Sequence, residues 1–385
     1  MKILFPIGTL YPSQQGGPCN SIYWLAKALA KEGVEATLVT TNLQAEDKVL
    51  ADVWLDTDYG RVIYHHERFH LIPMKMLRSV WKETPKCDVV HLNSLFYPPS
   101  VFAAGMAVWQ KKSIVWSVRG VLDEQTLTYS KQKKNILLWL IKRFLSSKVC
   151  FHSTSPEETG QIRAVFGMSV SVVEIPNFME LPLLAVSDST KPYLLYLGRI
   201  HPIKALENLL AALLLSRSFV QSDFTLKIAG DYDNAYGEQL KKQVAELGLD
   251  EKIEFLGLVE GEEKQRLYAG AYFSILPSHT ENFGNVVIES LAQGTPVIAS
   301  KGTPWEILEI EKAGIWSENE PEKLADAISK ALSLPKNIYE NWRQNALMLV
   351  RARFDIHANI DVWIKTYQSL IPFSKNENLL EAQTK

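Results

Sequence analysis

The sequence has few cysteines, no long apolar run and almost no net charge. Cys19, Cys87 and Cys150 are widely spaced and match no metal-ligand pattern, so neither a disulfide framework nor a structural zinc site is expected, and a reducing, cytoplasmic setting is indicated. No apolar stretch approaches the roughly 18 residues of a membrane helix, and Pro6 interrupts the first one, so we expect neither a membrane span nor a signal peptide. The 41 basic and 43 acidic side chains argue against a nucleic-acid-binding domain.

The length and the distribution of charge divide the chain into two parts. Its 385 residues exceed what one hydrophobic core usually organises, which predicts about two domains. Residues 1–176 hold 20 basic and 15 acidic side chains, a net charge of +5, whereas the remainder has a net charge of −7. The basic first half favours an anionic partner.

Strand and helix patterns alternate along residues 1–177 and predict a first α/β domain there. After the first strand, a glycine-containing loop leads into a helix that ends at Gly33. Strands are predicted at 3–5, 34–41, 88–92 and 113–117.

Residues 178–192 collect proline, serine, threonine and aspartate without apolar periodicity and are predicted to be a linker. The alternation restarts over 193–350, which predicts a second α/β domain. Its predicted strands lie at 193–197, 224–229, 253–256, 272–276 and 296–299, and its first two helices at 206–215 and 236–247. A helix over 351–374, expected to pack back toward the N-terminal domain, and a polar tail over 375–385 complete the chain.

Two glutamates eight positions apart stand where a strand runs through a polar loop into a helix. Glu281 is in the loop after the strand at 272–276, and Glu289 lies about one turn into the helix. Open α/β sheets bind ligands at the carboxyl ends of their strands. A carboxylate at Glu289 can accept hydrogen bonds from the vicinal hydroxyls of a ribose, while the N–H groups at the helix start face an anion.

Two cations follow the first strand of the second domain. Arg199 and Lys204 stand on a short loop beside the same sheet edge. Arginine supplies a rigid fork for phosphate oxygens and lysine a movable point charge, so the pair suits a diphosphate. The alternative is an ordinary pair of surface salt bridges.

The segment ENFGNVVIESLAQGTPVIAS, which starts at Glu281, resembles the E-x7-E signature of the retaining glycosyltransferases of family 4. The resemblance extends from Gly16-Gly17 through Arg199 and Lys204 to Glu289, over most of the chain. It implies the GT-B architecture, in which two Rossmann-like, doubly wound α/β domains face a central cleft. The N-terminal domain would lie on the acceptor side, and the C-terminal domain would bind the nucleotide sugar.

The resemblance also implies roles for individual residues. Glu281 would contact the donor sugar, Glu289 would hold the nucleotide ribose, and Arg199 with Lys204 would grip the donor diphosphate, so that Glu281, Arg199 and Lys204 form the catalytic set. The further substrate-binding residues would be Gly16, Gly17, Arg119, Asn282, Phe283, Gly284 and Asn285.

The chain departs from the family pattern at three positions. Ala205 and Phe178 stand where glycine is usual or frequent, and Arg119 stands where a histidine often occurs. An arginine there would make the sugar contact a charged one. His91, at the end of a buried strand, is the alternative substrate contact on this side.

The expected activity is a metal-independent transfer of a sugar, with retention, from a nucleoside diphosphate sugar to a hydroxyl of a glycan or lipid-linked acceptor. The donor is a substrate, and no cofactor is expected. Residues 125–148 contain no acidic side chain, which favours contact with an anionic membrane at the inner face of the cell membrane and a role in surface-polysaccharide or lipopolysaccharide biosynthesis. A domain helix with a solvated basic face is the other interpretation of this stretch.

Two other functions remain open from the sequence. One is a GT-B sugar-nucleotide epimerase or disaccharide synthase, and the other is a noncatalytic nucleotide-sugar-binding protein. Metal binding at the D-x-D sequences 56–58 and 231–233 is not expected, because so short a pattern arises easily by chance. Nor is it expected at His65, His66 and His70, because no carboxylate or cysteine at ligand spacing completes a site there. The glycine pattern of a nicotinamide dehydrogenase is also absent.

Overall fold

The computed structural model describes residues 1–13, 16–67, 69, 71–123, 131–187, 189 and 191–372. The chain divides into two compact units. Unit 1 comprises Met1–Met179 and Ile356–Lys385, and unit 2 comprises Glu180–Asp355. Each unit has its own β-sheet with helices packed against it.

Within the described residues, the sheet of unit 1 has eight strands. They are β1 (Lys2–Pro6), β2 (Glu35–Thr41), β3 (Trp54–Thr57), β4 (Gly60–His65), β5 (Val89–Asn93), β6 (Ser113–Ser117), β7 (Cys150–Ser153) and β8 (Ser171–Glu174). The helices that connect them are α1 (Gly16–Lys31), α2 (Met74–Glu83), α3 (Pro98–Trp109), α4 (Lys131–Phe144) and α5 (Pro156–Phe166).

The strand order in unit 1 is β3-β4-β2-β1-β5-β6-β7-β8, parallel except for the antiparallel pair of β3 and β4. One apolar cluster joins α1 to one face of this sheet, and another joins α2, α3, α4 and α5 to the other face. Because both faces are covered, β5 is buried at every position. The order reverses between β1 and β5, which makes a switch point where the carboxyl ends of strands open a crevice.

In unit 2, the described residues form a six-stranded parallel sheet. Its strands are β9 (Tyr193–Leu197), β10 (Thr225–Ala229), β11 (Ile253–Gly257), β12 (Phe273–Leu276), β13 (Val297–Ser300) and β14 (Gly314–Ser317). Its helices are α6 (Leu206–Leu215), α7 (Arg217–Val220), α8 (Ala235–Glu246), α9 (Gly261–Gly270), α10 (Asn285–Ala292), α11 (Ile307–Ile310), α12 (Pro321–Leu332) and α13 (Lys336–Arg353). The order β11-β10-β9-β12-β13-β14 is that of a Rossmann sheet, with its switch point between β9 and β12. The prediction of two Rossmann-like α/β domains is confirmed.

The C-terminal region differs from its prediction as one helix over 351–374. Helix α13 ends at Arg353, and a separate helix α14 (Ile356–Leu370) follows. The physical reason is local: Phe354 leaves helical geometry with φ −130° and ψ −4°, and Asp355 is a residue type that favours the position before a helix. Helix α14 belongs to unit 1, where Ile360, Trp363 and Tyr367 join the core that surrounds α1.

Candidate functional site

Two loops meet at the switch point of the unit 2 sheet. The loop after β9 carries Arg199 and a short 3₁₀ helix, Pro202–Lys204, and the loop after β12 carries Glu281. The backbone N–H of His279 donates to the carbonyl of Ile203 at 2.9 Å and ties the two loops together. Because β9 and β12 are neighbouring parallel strands, their carboxyl ends bring both loops to one edge.

Lys204 and Glu281 form an ion pair across these loops. Their side chains are only 13% and 16% exposed, so solvent screens the pair less than it would a surface pair. The Ser278 hydroxyl donates a second hydrogen bond to the same carboxylate oxygen at 3.1 Å. Arg199 is exposed on the same loop as Lys204, and within the described part of the chain its guanidinium has no ion-pair partner.

The backbone around Glu281 depends on two glycines. The Glu281 N–H donates to the carbonyl of Gly302 at 2.9 Å, and a Cβ added at Gly302 would lie 2.0 Å from the carbonyl oxygen of His279. Gly284 has φ +82° and precedes α10, a conformation that side chains with a Cβ disfavour. These close approaches hold the loop in one shape and fix the carboxylate beside Lys204.

The other residues of this loop have different surroundings. Phe283 is buried against the Trp305 ring at a centroid distance of 5.1 Å, and its carbonyl accepts a hydrogen bond from the Trp305 indole. Asn282 is half-buried in the loop, and half-buried Asn285 is the first residue of α10. The side chain of Phe283 therefore supports the loop from the core, and the polar residues are the ones nearer to solvent.

Glu289 is a buried carboxylate between two helices. Its oxygens accept hydrogen bonds from Lys264 Nζ at 2.9 Å and from the Tyr268 hydroxyl at 3.1 Å, both on α9. Burial, with the charge of Glu289, raises the pKa of Tyr268 well above its ordinary value, so this hydroxyl remains a donor. A carboxylate accepts about four hydrogen bonds, so Glu289 retains acceptor capacity for a ligand hydroxyl.

Tyr196, on β9, connects the surroundings of the two glutamates. Its hydroxyl donates to the carbonyl of Arg199 at 2.8 Å. Burial and, to a lesser extent, the charge of Glu281 raise the pKa of Tyr196 well above its ordinary value. Tyr268 in turn lies within electrostatic range of Tyr196. Sequence reasoning missed Tyr196, Lys264 and Tyr268. The only available signal was that Lys264 and Tyr268 are one helical turn apart.

The candidate substrate-binding residues of unit 1 lie at two places in that unit, the start of α1 and the loop after β6. Gly16 and Gly17 begin α1. Arg119 has φ +66° just after β6, donating from Nε to Asn93 Oδ1 at 3.2 Å and from Nη1 to Asn177 Oδ1 at 2.7 Å. Burial lowers the pKa of Arg119 to about 10.

His91 is fully buried, with both ring nitrogens engaged. They are paired with the Tyr367 hydroxyl and with Ser117 Oγ, each at 2.7 Å, and Ser117 Oγ is also 2.7 Å from Nδ1 of His152. His152 Nε2 faces the carbonyl of Ile175 at 2.8 Å. Because a carbonyl only accepts, His152 Nε2 donates to Ile175. His152 Nδ1 then accepts from the Ser117 hydroxyl, Ser117 Oγ accepts from His91 Nε2, and His91 Nδ1 accepts from the Tyr367 hydroxyl. His91 is therefore a core residue and not an open substrate contact.

The residues discounted as metal ligands have ordinary partners. His65 contacts Asp52 and Ser79, each at 2.8 Å, and His66 lies 3.4 Å from Asn42. Across the described ranges, no three His, Cys, Asp or Glu side chains converge as a metal site would require, and His70 lies outside them.

Two family models match the chain. The model described as Glycosyltransferase Family 4 matches residues 15–181, and the one described as Glycosyl transferases group 1 matches residues 185–370. A curated relative, an uncharacterised glycosyltransferase of Methanocaldococcus jannaschii, is 30% identical over 227 residues, which cover 56% of this chain and 54% of that protein. The chain thus spans about half of the length of this relative, and less of other curated relatives.

Solved structures resemble the whole chain at low sequence identity. Sucrose-phosphate synthase of Thermosynechococcus elongatus superposes with a TM-score of 0.78 at 22% identity, covering 96% of this chain and 98% of its own. The Anabaena protein HepE, in complex with UDP and glucose, superposes with a TM-score of 0.76 at 20% identity, covering 96% of this chain and 100% of its own. Each of the two matched segments thus resembles a glycosyltransferase model, and the fold is GT-B.

Proposed function

We propose that the protein is a retaining glycosyltransferase, which moves a sugar from a nucleoside diphosphate sugar to a hydroxyl of a glycan or lipid-linked acceptor. The observation that carries this proposal is the Lys204–Glu281 ion pair at the carboxyl edge of the unit 2 sheet, with Arg199 on the same loop. Cations there suit a diphosphate, and a carboxylate suits sugar hydroxyls. The complex of the Anabaena structure with UDP and glucose supports a nucleotide sugar as the donor.

The ion pair explains how the site tolerates its charges before the donor binds. Lys204 and Glu281 neutralise each other at a shielded position, and the Ser278 hydroxyl adds a hydrogen bond to the carboxylate. A diphosphate would take over part of the Lys204 interaction. Glu281 would then accept hydrogen bonds from donor sugar hydroxyls instead, so that donor binding exchanges one set of partners for another.

The transfer step breaks the bond between the sugar and the diphosphate. The electron pair of that bond leaves with the nucleoside diphosphate, and Arg199 and Lys204 stabilise the charge that develops on it. The N–H groups at the start of α10 face the same edge and add to this stabilisation. The acceptor hydroxyl attacks the face that the diphosphate leaves and gives its proton to a departing phosphate oxygen, which results in retention.

Glu289 would hold the ribose of the donor. Lys264 and Tyr268 orient its carboxylate and leave acceptor sites for two vicinal hydroxyls. Because α9 supplies both of these partners, the ribose subsite would be preformed before the donor arrives.

The test is a panel of nucleoside diphosphate sugars, with donor hydrolysis and transfer measured for the wild type, Glu281→Gln and Lys204→Ala. Loss of Lys204 should reduce turnover about 100-fold or more, as for other lost transition-state donors. Lys227→Ala is the matched control, since Lys227 on β10 pairs with Glu254 on the edge strand β11. Equal rates for the wild type and both site variants would reject the catalytic assignment. Tight donor binding without turnover would favour a noncatalytic binding protein.

We also propose that the enzyme works on its acceptor at an anionic membrane surface, in surface-polysaccharide assembly. Helix α4, in the basic stretch 125–148, exposes Ile136, Trp139 and Phe144 together with Lys133 and Arg143. Such a mixture of apolar and cationic side chains suits an anionic lipid interface. Residues 125–130 lie outside the described part of the chain, in which no helix is long and apolar enough to cross a bilayer.

Vesicle sedimentation tests the membrane part separately. We expect phosphatidylglycerol vesicles to retain the protein at low salt and phosphatidylcholine vesicles to retain much less of it. Trp139→Ser should weaken this retention. The buried Trp116, which is not exposed to lipid, provides the contrast: Trp116→Phe should leave retention unchanged. No retention of the wild type on either vesicle would remove the membrane contact from the proposal.

A further inference from the structure

Arg119 and Asn93 form a polar pair at the carboxyl edge of the unit 1 sheet. Asn93 is the last residue of β5, and Arg119 follows β6, the strand beside it. β5 borders the switch point with β1, so both residues stand where doubly wound sheets open a ligand crevice. Their chemistry therefore bears on what unit 1 binds.

The hydrogen bonds of this pair leave a buried donor unused. Asn93 Oδ1 accepts from Arg119 Nε, which fixes the orientation of the amide. Asn93 is 5% exposed, and its Nδ2 has no hydrogen-bond partner in the described residues. A buried donor without an acceptor is costly, so an unmet donor beside a cation indicates a place for an acceptor-rich ligand.

The positive charge of Arg119 is also uncompensated by direct contact. Its two hydrogen-bond acceptors, on Asn93 and Asn177, are neutral amides, and within the described residues no carboxylate pairs with it. Within the described residues Glu158 makes no hydrogen bond or ion pair with Arg119 and acts on it through space, while its oxygens accept from Gly120 and Thr154.

The neighbouring histidines supply no countercharge and no second cation. Burial lowers the pKa of His91 well below its usual range and that of His152 to about 3, so both are neutral at physiological pH. The net charge of this polar cluster at neutral pH is therefore set by the guanidinium of Arg119 and the more distant Glu158.

We propose that Arg119 and Asn93 Nδ2 bind an anionic group, a carboxylate or a phosphate, carried by the substrate. The proposal rests on the proposed function, since it names the chemical class of substrate that the unit 1 side accepts. An anion would give Arg119 a charged partner and Asn93 Nδ2 an acceptor at the same time. The anion can belong to a phosphorylated acceptor or to a uronic acid donor sugar.

The first experiment uses inorganic phosphate as the probe, titrated calorimetrically into the full chain saturated with UDP, which occupies the diphosphate site of unit 2. Wild-type protein should bind phosphate, and Arg119→Gln should weaken it about tenfold or more. Asn93→Asp should do the same, because the new carboxylate takes Arg119 as its own partner and repels the probe. Arg78→Gln, at an exposed position on α2, should bind like the wild type.

Asn93→Asp separates binding from folding. A carboxylate can still accept from Arg119 Nε, so this variant should melt at or above the temperature of the wild type while it loses phosphate. If the pair served only to hold the fold, Asn93→Asp would be stable and its phosphate binding would match that of the wild type. Equal phosphate affinities in the wild type, Asn93→Asp and Arg119→Gln would overturn the proposal.

Two further arms identify the source of the anion. Glucose 6-phosphate displacing inorganic phosphate, where glucose does not, would place the anion on the acceptor. Tighter binding of UDP-glucuronic acid than of UDP-glucose in the wild type, but not in Asn93→Asp, would place it on the donor. None of these readouts requires turnover, so a failure here leaves the transfer test at Glu281 intact, and a failure of that test leaves this one intact.

Discussion

Acidification should destabilise unit 1 through two buried histidines. His91 and His152 are held neutral in a directed hydrogen-bond chain that runs from Tyr367 through Ser117 to the carbonyl of Ile175. Their folded-state pKa values lie below the unfolded value of about 6.5, chiefly because of burial. Below that pH the unfolded chain binds more protons than the folded chain, so stability must fall as the pH falls.

The size of the effect follows from the shifts. Each histidine contributes about 1.4 kcal/mol per pH unit once the unfolded state is protonated and the folded state is not. Between pH 6.5 and pH 5 the loss is about 2 kcal/mol for His152, and His91 adds a loss in the same direction. For His152 this decline continues toward pH 3, where the folded state also protonates. The carboxylate of Asp52, whose pKa is lowered, adds its own loss only near and below its ordinary value of 3.8.

The assay is urea denaturation followed by a signal from unit 1 at half-unit intervals from pH 7.5 to pH 5. His152→Gln keeps an acceptor and a donor in the side chain but does not titrate, so the slope of its stability against pH should be clearly smaller than that of the wild type. His357→Gln, at an exposed position, should keep the full slope. A wild-type stability that does not change between pH 6.5 and pH 5 would refute the reasoning.

Two substitutions in unit 2 test how its site is held. Gly302→Ala puts a Cβ 2.0 Å from the His279 carbonyl oxygen, so the loop that carries Glu281 must move, and calorimetry should show UDP affinity reduced about tenfold. Gly105→Ala, in a helix with nothing within 4 Å of the new Cβ, should bind UDP like the wild type. Tyr268→Phe removes a hydrogen bond to the buried Glu289 carboxylate and should lower the free energy of unfolding by about 1.5–3 kcal/mol in urea; an unchanged midpoint would contradict the role given to that bond.

Much of the fold could be predicted from local sequence patterns, because residues that are near one another in the sequence determine each strand and helix. The strand at 193–197 and the helix at 206–215 have the same bounds as β9 and α6. The sequence placed the loops of Lys204 and Glu281 at one sheet edge, because the carboxyl ends of parallel strands meet there, but it predicted no ion pair between these two side chains. Two loops whose key residues are 77 positions apart could thus be placed at one edge from the sequence, and the contact between their side chains came from the structure.

The remaining features depend on packing between distant segments. Neither apolar spacing nor charge indicated that Lys264 and Tyr268 would orient Glu289, because α9 meets α10 only in the folded unit. His91 stood as a possible substrate contact because the sequence placed it at the end of a predicted strand, whereas β5 continues to Asn93. The hydroxyl that pairs with Nδ1 of His91 belongs to Tyr367, which is 276 residues away in the sequence.

The departures from the family pattern also acquire physical meaning. Ala205 adopts a left-handed conformation, with φ 51° and ψ 43°, at the position where glycine is usual, which explains the preference for glycine there. Arg119, in place of a histidine, also has a positive φ and is tied to two amides.

The most direct test of the central claim is calorimetric titration of UDP, GDP and ADP into the wild type, Lys204→Ala and Glu281→Gln. If Lys204 binds a donor diphosphate in competition with Glu281, then the nucleotide that binds should bind about tenfold or more weakly to Lys204→Ala. It should bind as tightly or more tightly to Glu281→Gln, because the lysine then has no competing carboxylate. Affinities for all three nucleotides that are unchanged in Lys204→Ala, or that fall together in both variants, would contradict the account.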